Sequence, residues 1–98
     1  MDIEMQALLR NDSKVYVEVN ETRLPDGQVR PHYFVWEDET QGRLKCPIVR
    51  ITDIRPAHST KAGGFGMRYT IQFCVEEDTR VYTKFLFLEE DKWFMERK

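Results

Sequence analysis

The sequence predicts an all-β domain: a six-stranded antiparallel meander closing into a small SH3-like barrel or tight sandwich. Three observations predict it. Met67, Tyr69, Ile71, Phe73 and Val75 alternate with Arg68, Thr70, Gln72, Cys74 and Glu76, the period of two of a half-buried strand. Clusters of turn formers at Pro25-Asp26-Gly27, Glu37 to Gly42, Glu77-Asp78-Thr79 and Glu89 to Lys92 cut the chain into strand-length pieces. Past residue 12, no stretch offers the helical crossover that parallel strands need.

Six strands follow in order. Lys14–Arg23 carries Val15, Val17 and Val19 on one face, with Tyr16 and Glu18 on the other. Gln28–Trp36 follows, with Pro31 at an edge, a bulge or the strand start, because proline donates no N–H to a ladder. In Arg43–Arg55 the apolar phase changes: Leu44, Cys46 and Ile48 align before Pro47 takes effect, and Val49 and Ile51 after it. That switch predicts a bulge or bend near Pro47. Gly66–Glu76 is the alternating strand. Arg80–Leu88 is apolar on both faces, with Val81, Phe85 and Phe87 opposite Tyr82, Leu86 and Leu88. Trp93-Phe94-Met95-Glu96 is a last short strand.

Ninety-eight residues make one domain with a modest core. Residues 1–12 read as a tail or a short helix, because Met1, Met5, Leu8 and Leu9 share a helical face. Residues 13–98 form the β domain. The charged fraction is 33% but the net charge is only −2, which excludes a disordered polyelectrolyte and a uniformly basic nucleic-acid binder. No apolar run approaches the length of a membrane span. The acidic start lacks the features of a signal peptide, so a cytoplasmic protein with free thiols at Cys46 and Cys74 is expected.

The sequence points to no catalytic or metal chemistry. Gly63-Gly64-Phe65-Gly66 opens a strand and has no following Lys-Ser or Lys-Thr, so it reads as a hairpin rather than a phosphate loop. Asp53, His58 and Ser59 have the residue types of a triad without a nucleophile elbow. Two histidines and two cysteines show no metal-ligand spacing. Catalytic, metal and cofactor sites are therefore all read as none.

One constellation carries a functional expectation. The segment Arg55 to Gly66 reads as the longest loop in the domain. It gathers Arg55, His58 and Lys61, with Arg50 and Arg68 on the adjoining strands and Tyr33, Phe65 and Tyr69 nearby. Arginine and lysine on phosphates, with aromatics under bases, is how small barrels bind nucleic acid. The chain is thus expected to be a non-enzymatic interaction module with a weak nucleic-acid or anion site at Arg50, Arg55, His58, Lys61 and Arg68. The alternative is a protein-binding or homodimerising module that uses an exposed strand edge or the N-terminal segment. Solvation of a small β protein accounts equally for charged turns, and core packing for most of the aromatics.

Lys61-Ala62-Gly63-Gly64, the following Arg68-Tyr69-Thr70 and the final Trp93-Phe94 resemble a family of small bacterial proteins, mainly from Firmicutes, to which no activity is assigned. The resemblance extends from Lys14 to Arg97. It implies a stand-alone domain. Its members' proximity to genes for Y-family DNA polymerases in some genomes implies a link to nucleic-acid metabolism. It implies no site residues.

Overall fold

The expected first strand serves two edges of one sheet. The computed structural model describes residues 14–59 and 64–96, of which 58, 59, 64 and 65 enter through their backbone pairing only. The strands are β1 (Lys14–Tyr16), β2 (Glu18–Arg23), β3 (Val29–Asp38), β4 (Gly42–Ser59), β5 (Gly64–Phe73), β6 (Tyr82–Glu89) and β7 (Lys92–Glu96). They form one seven-stranded sheet in the order β1-β7-β6-β5-β4-β3-β2. Every neighbouring pair is antiparallel. The expected all-β meander is present, with seven strands rather than six. The extra strand arises at Val17, where the chain leaves β7 and joins β3. Val17 N–H still donates to the Trp93 carbonyl at 3.1 Å. The sheet therefore curls until its edges meet in consecutive residues, giving a barrel-like fold. The segment 1–12 lies outside the described residues.

The inward faces follow from the sequence periodicity. On β5, Tyr69, Ile71 and Phe73 are buried, and they pack with Phe34, Cys46, Leu86, Trp93 and Met95. On β4, Ile48 and Ile51 pack on the core opposite Phe73 and Ile71, whereas Ile54, opposite Tyr69, is left exposed. One strand advances by three residues while its partner advances by two. Each interval therefore holds one extra residue, and the register shifts at Val49 and at Thr52. The bend expected at Pro47 thus falls two residues later, and Val49 is extruded and exposed instead of aligning with Ile51. Pro31 sits opposite Glu21 where β2 and β3 slip register, a bulge that spares it a donor role.

The expected long loop is largely a ladder. Pairing continues from Arg55↔Arg68 through Pro56↔Met67 and Ala57↔Gly66 to Ser59↔Gly64. Antiparallel strands use the N–H groups of alternate residues on each flank, so Pro56 is tolerated there. Gly66 is required for another reason. A Cβ on it would run into the Leu88 carbonyl oxygen of β6.

The two faces expected for the fifth predicted strand are not both buried. Leu86 is fully buried, but Val81 and Phe85 are exposed. Only Phe87 on that face is sheltered, by stacking on Phe94 at 5.0 Å. A strand at a curled sheet has one convex side, and no second layer of described residues packs on it.

Two buried groups give stability predictions. The Tyr69 hydroxyl donates to the Val29 carbonyl at 2.6 Å. Tyr69→Phe leaves that carbonyl unpaired, at a cost of about 1–3 kcal/mol. A thermal melt reads each kcal/mol as a fall of ~4–8 °C for a domain this size, and an unchanged midpoint would refute the bond's role. Burial pushes the Cys46 thiol up to about 11. The folded chain then holds this proton where the unfolded chain has released it, so its contribution to stability declines as pH rises from the ordinary thiol range of about 8.5 towards 11. Denaturant melts across that range should show the decline, and Cys46→Val should lessen it. A slope identical in wild type and variant would assign the alkaline loss to other groups.

Candidate functional site on the outer face

The register places three of the five expected site residues on one face. Arg55 and Arg68 are direct cross-strand partners, and Arg50 lies opposite Gln72. Their partners alternate with the inward Tyr69 and Ile71, so all three arginines stand on the outer, convex side. Arg50 is four β5 residues away from the Arg55–Arg68 pair, about 13 Å at the usual strand rise. The His58 and Lys61 side chains lie outside the described residues. The backbone pairs His58 with Phe65, three rungs beyond Arg55–Arg68.

Two contacts temper the positive charge. Arg55 Nε lies 2.7 Å from Asp53 Oδ2, and Asp53 shares the outer face opposite Thr70. The Arg68 guanidinium lies over Phe85, its central carbon 4.3 Å from the ring centroid. Arg68 Nε is buried there and has no hydrogen-bond partner among the described residues. Side by side, two guanidinium groups repel each other, and an anion placed between them would relieve that.

Sequence reasoning missed the aromatic part of this face. Arg68 pairs with Phe87, Phe87 with Phe94, and Phe94 with Tyr16. These positions continue the Arg55–Arg68 rung in one row across β4, β5, β6, β7 and β1. Phe87 and Phe94 are stacked with their planes 7° apart. Tyr16 meets Phe94 edge-on at 5.8 Å, and Phe85 meets Phe87 likewise at 6.3 Å. Phe94 is buried, whereas Tyr16 and Phe85 are 60% and 43% exposed, so the stack presents an open ring at each end. Lys14 Nζ sits 4.7 Å over Phe94 and also 3.6 Å from Glu89. The readable signal was the pair Phe85 and Phe87 alternating with Leu86 and Leu88, but it reads equally as a strand buried on both sides.

The aromatics expected beside the basic segment do not join it. Tyr69 is 3% exposed and belongs to the core. Tyr33 lies under the Lys45 ammonium at 4.3 Å, on the β3–β4 hairpin. The Phe65 side chain lies outside the described residues.

The acidic turns carrying Glu37-Asp38-Glu39 and Glu76-Glu77-Asp78 are partly neutralised. Arg43 bonds Glu18 and Glu37 at 2.9 and 3.1 Å, and Arg80 pairs with Asp78 at 3.2 Å. Hydrogen bonds from the Arg80 backbone, then from its side chain, hold the Asp78 carboxyl below its usual range. The Thr40 hydroxyl and the Gln41 N–H do the same for Asp38. At the other end Arg23 bonds Asp91 at 3.0 Å, which joins the turns that follow β2 and β6 as the meander requires. Cys46 and Cys74 are both free. Among the described residues, no cluster of three metal-ligating side chains is present, and no helix is long and apolar enough to cross a membrane.

Compared with family models, curated proteins and solved structures, the chain gives no match.

Proposed function

We propose that the chain is a non-enzymatic binding module that takes single-stranded nucleic acid, weakly, on its outer face. The observation that supports this best is the single cross-strand row Arg55–Arg68–Phe87–Phe94–Tyr16. Guanidinium groups at one end suit phosphates, and open rings at Tyr16 and Phe85 suit unstacked bases. Arg50 extends the phosphate track along β4. The sequence adds His58 and Lys61 to the expected contacts; their side chains lie outside the described residues. Duplex is a poorer ligand, because its bases are unavailable for stacking on Tyr16 and Phe85.

We further read the barrel-like sheet as SH3-like, since one N-terminal strand serves both edges of a short meander. A cytoplasmic, bacterial setting suits two free thiols and the resemblance carried by Lys61-Ala62-Gly63-Gly64 and Trp93-Phe94. The family's proximity to polymerase genes points the same way as the row of arginines and aromatics. A membrane partner and a cofactor form no part of this reading.

Fluorescence anisotropy with labelled single- and double-stranded oligonucleotides tests it. Single strands should bind saturably at low salt and weaken as salt rises. Arg55→Ala and Arg68→Ala should each reduce the salt slope by about 0.7, the value for one phosphate contact on a single strand. Tyr16→Ala should cost about 1–3 kcal/mol without changing that slope. Absence of binding at low salt, where electrostatics are least screened, would sink the proposal.

A further inference from the structure

β3 and β4 part after the pair Tyr33↔Pro47. From there β3 pairs only with β2, back to Val29, and β4 pairs only with β5, from Ile48 onward. Between them lies an open groove of about 760 Å³, walled by Arg30, Pro31 and His32 on β3 and by Val49, Arg50 and Ile54 on β4. It lies beside the outer face and shares only Arg50 with the nucleic-acid row.

Three features define what fits there. The β4 flank from Ile48 to Ile54 has no strand partner among the described residues, and an unpaired strand flank accepts an extended chain through its backbone groups. The walls carry Arg30, His32 and Arg50 against one acid, Asp53, which is held by Arg55 at 2.7 Å. An acidic ligand therefore complements the groove. Val49 and Ile54 are 57% and 42% exposed and offer apolar footing on that same wall. The bulges at Val49 and Thr52 interrupt the row of backbone groups, so the flank takes one short strand and does not template indefinite sheet growth.

We propose that this groove binds a short, extended, acidic peptide segment of a partner protein as an added strand on β4. Its apolar side chains rest on Val49 and Ile54, and its carboxylates face Arg30 and Arg50. The Tyr33↔Pro47 pair stops the peptide at one end. At the other end Pro56 has no N–H to give.

The test is a titration of isotopically labelled protein with a synthetic peptide of alternating aspartate and valine, followed by amide shifts and hydrogen exchange. Saturable shifts and slowed exchange are expected at Ile48–Ile54, with shifts at Arg30 and His32. Arg30→Glu and Val49→Asp, both at exposed positions, should each weaken the peptide about tenfold. Both should leave single-stranded oligonucleotide binding unchanged, whereas Arg68→Glu, away from the groove, should do the reverse, which separates the two sites. No saturation would overturn the proposal. So would equal binding of a backbone-methylated peptide, because strand addition needs its N–H groups. Displacement of the peptide by oligonucleotide that persists in Arg50→Ala would assign the groove to nucleic acid and overturn it. A protein that sediments as a dimer and becomes monomeric on Val49→Asp would assign the groove to a second copy, with the same consequence.

Discussion

The hydrogen bond from Tyr69 to Val29 holds the fold together where the strand ladder cannot. β3 and β4 diverge beyond Pro47, and no backbone pairing joins them there. The Tyr69 ring comes from β5, packs in the core, and sends its hydroxyl across to the β3 carbonyl. Its face lies 5.3 Å from Trp93 of β7. Trp93 in turn donates its indole N–H to Glu21 of β2 at 2.7 Å. Glu21 also bonds Arg23 at 2.7 Å, and Arg23 reaches Asp91. Two large rings thus fill the interior, and their polar tips bind the strands that the ladder leaves apart. Amphipathic aromatics suit this role because each carries bulk and a donor on one rigid frame. Burial pushes the Tyr69 hydroxyl up, which keeps it protonated and able to donate.

Closure also explains why β7 is buried on both sides. Trp93 and Met95 face the core, while Phe94 is covered from outside by Tyr16 and Phe87. That cover exists only because β1 pairs with β7 before the chain crosses to β3 at Val17. The outer aromatic row is therefore a product of sheet closure, and its end rings are exposed because no further layer of described residues lies over β1 and β6. Lysines at its margin, Lys14 over Phe94 and Lys92 6.0 Å from Tyr16, keep this apolar strip in contact with water.

Much of this was legible in the sequence, and the remainder was hidden for identifiable reasons. Alternation from Met67 to Phe73 revealed β5 and its inward face, because burial on one side imposes a period of two, although the strand runs from Gly64 to Phe73 rather than from Gly66 to Glu76. The break at Val17 left no trace, since Val15, Val17 and Val19 continue one alternation across it and all point inward. Only tertiary pairing distinguishes one strand from two. Residues 55–66 read as a loop because proline, glycine and polar residues dominate there. Antiparallel pairing accommodates that composition wherever the missing N–H is not needed. Opposed arginines at 55 and 68 depend on hairpin register, which composition does not encode. Phe85 and Phe87 were ambiguous in kind: an apolar face is the same in sequence whether a second layer covers it or not.

The two bulges in β4 connect the fold to both binding readings. Ile48, Ile51 and Ile54 are spaced by three, a pattern that a regular strand would split between its two faces. Facing Phe73, Ile71 and Tyr69, which are spaced by two, they keep that register only if Val49 and Thr52 are set aside; Ile48 and Ile51 then pack on the core and Ile54 stays exposed at the groove. Setting them aside turns Arg50, Asp53 and Arg55 outward, opposite Gln72, Thr70 and Arg68. Without the bulges, Arg50 would enter a core that holds no buried charge among the described residues, at a cost no packing there could offset. Bulges also bend and twist the strand that carries them, and β4 leaves β3 at the first of them. The same two inserted residues therefore align the outer arginines and open the groove beside them. Their removal would be expected to abolish both features together, by driving β4 into a different register.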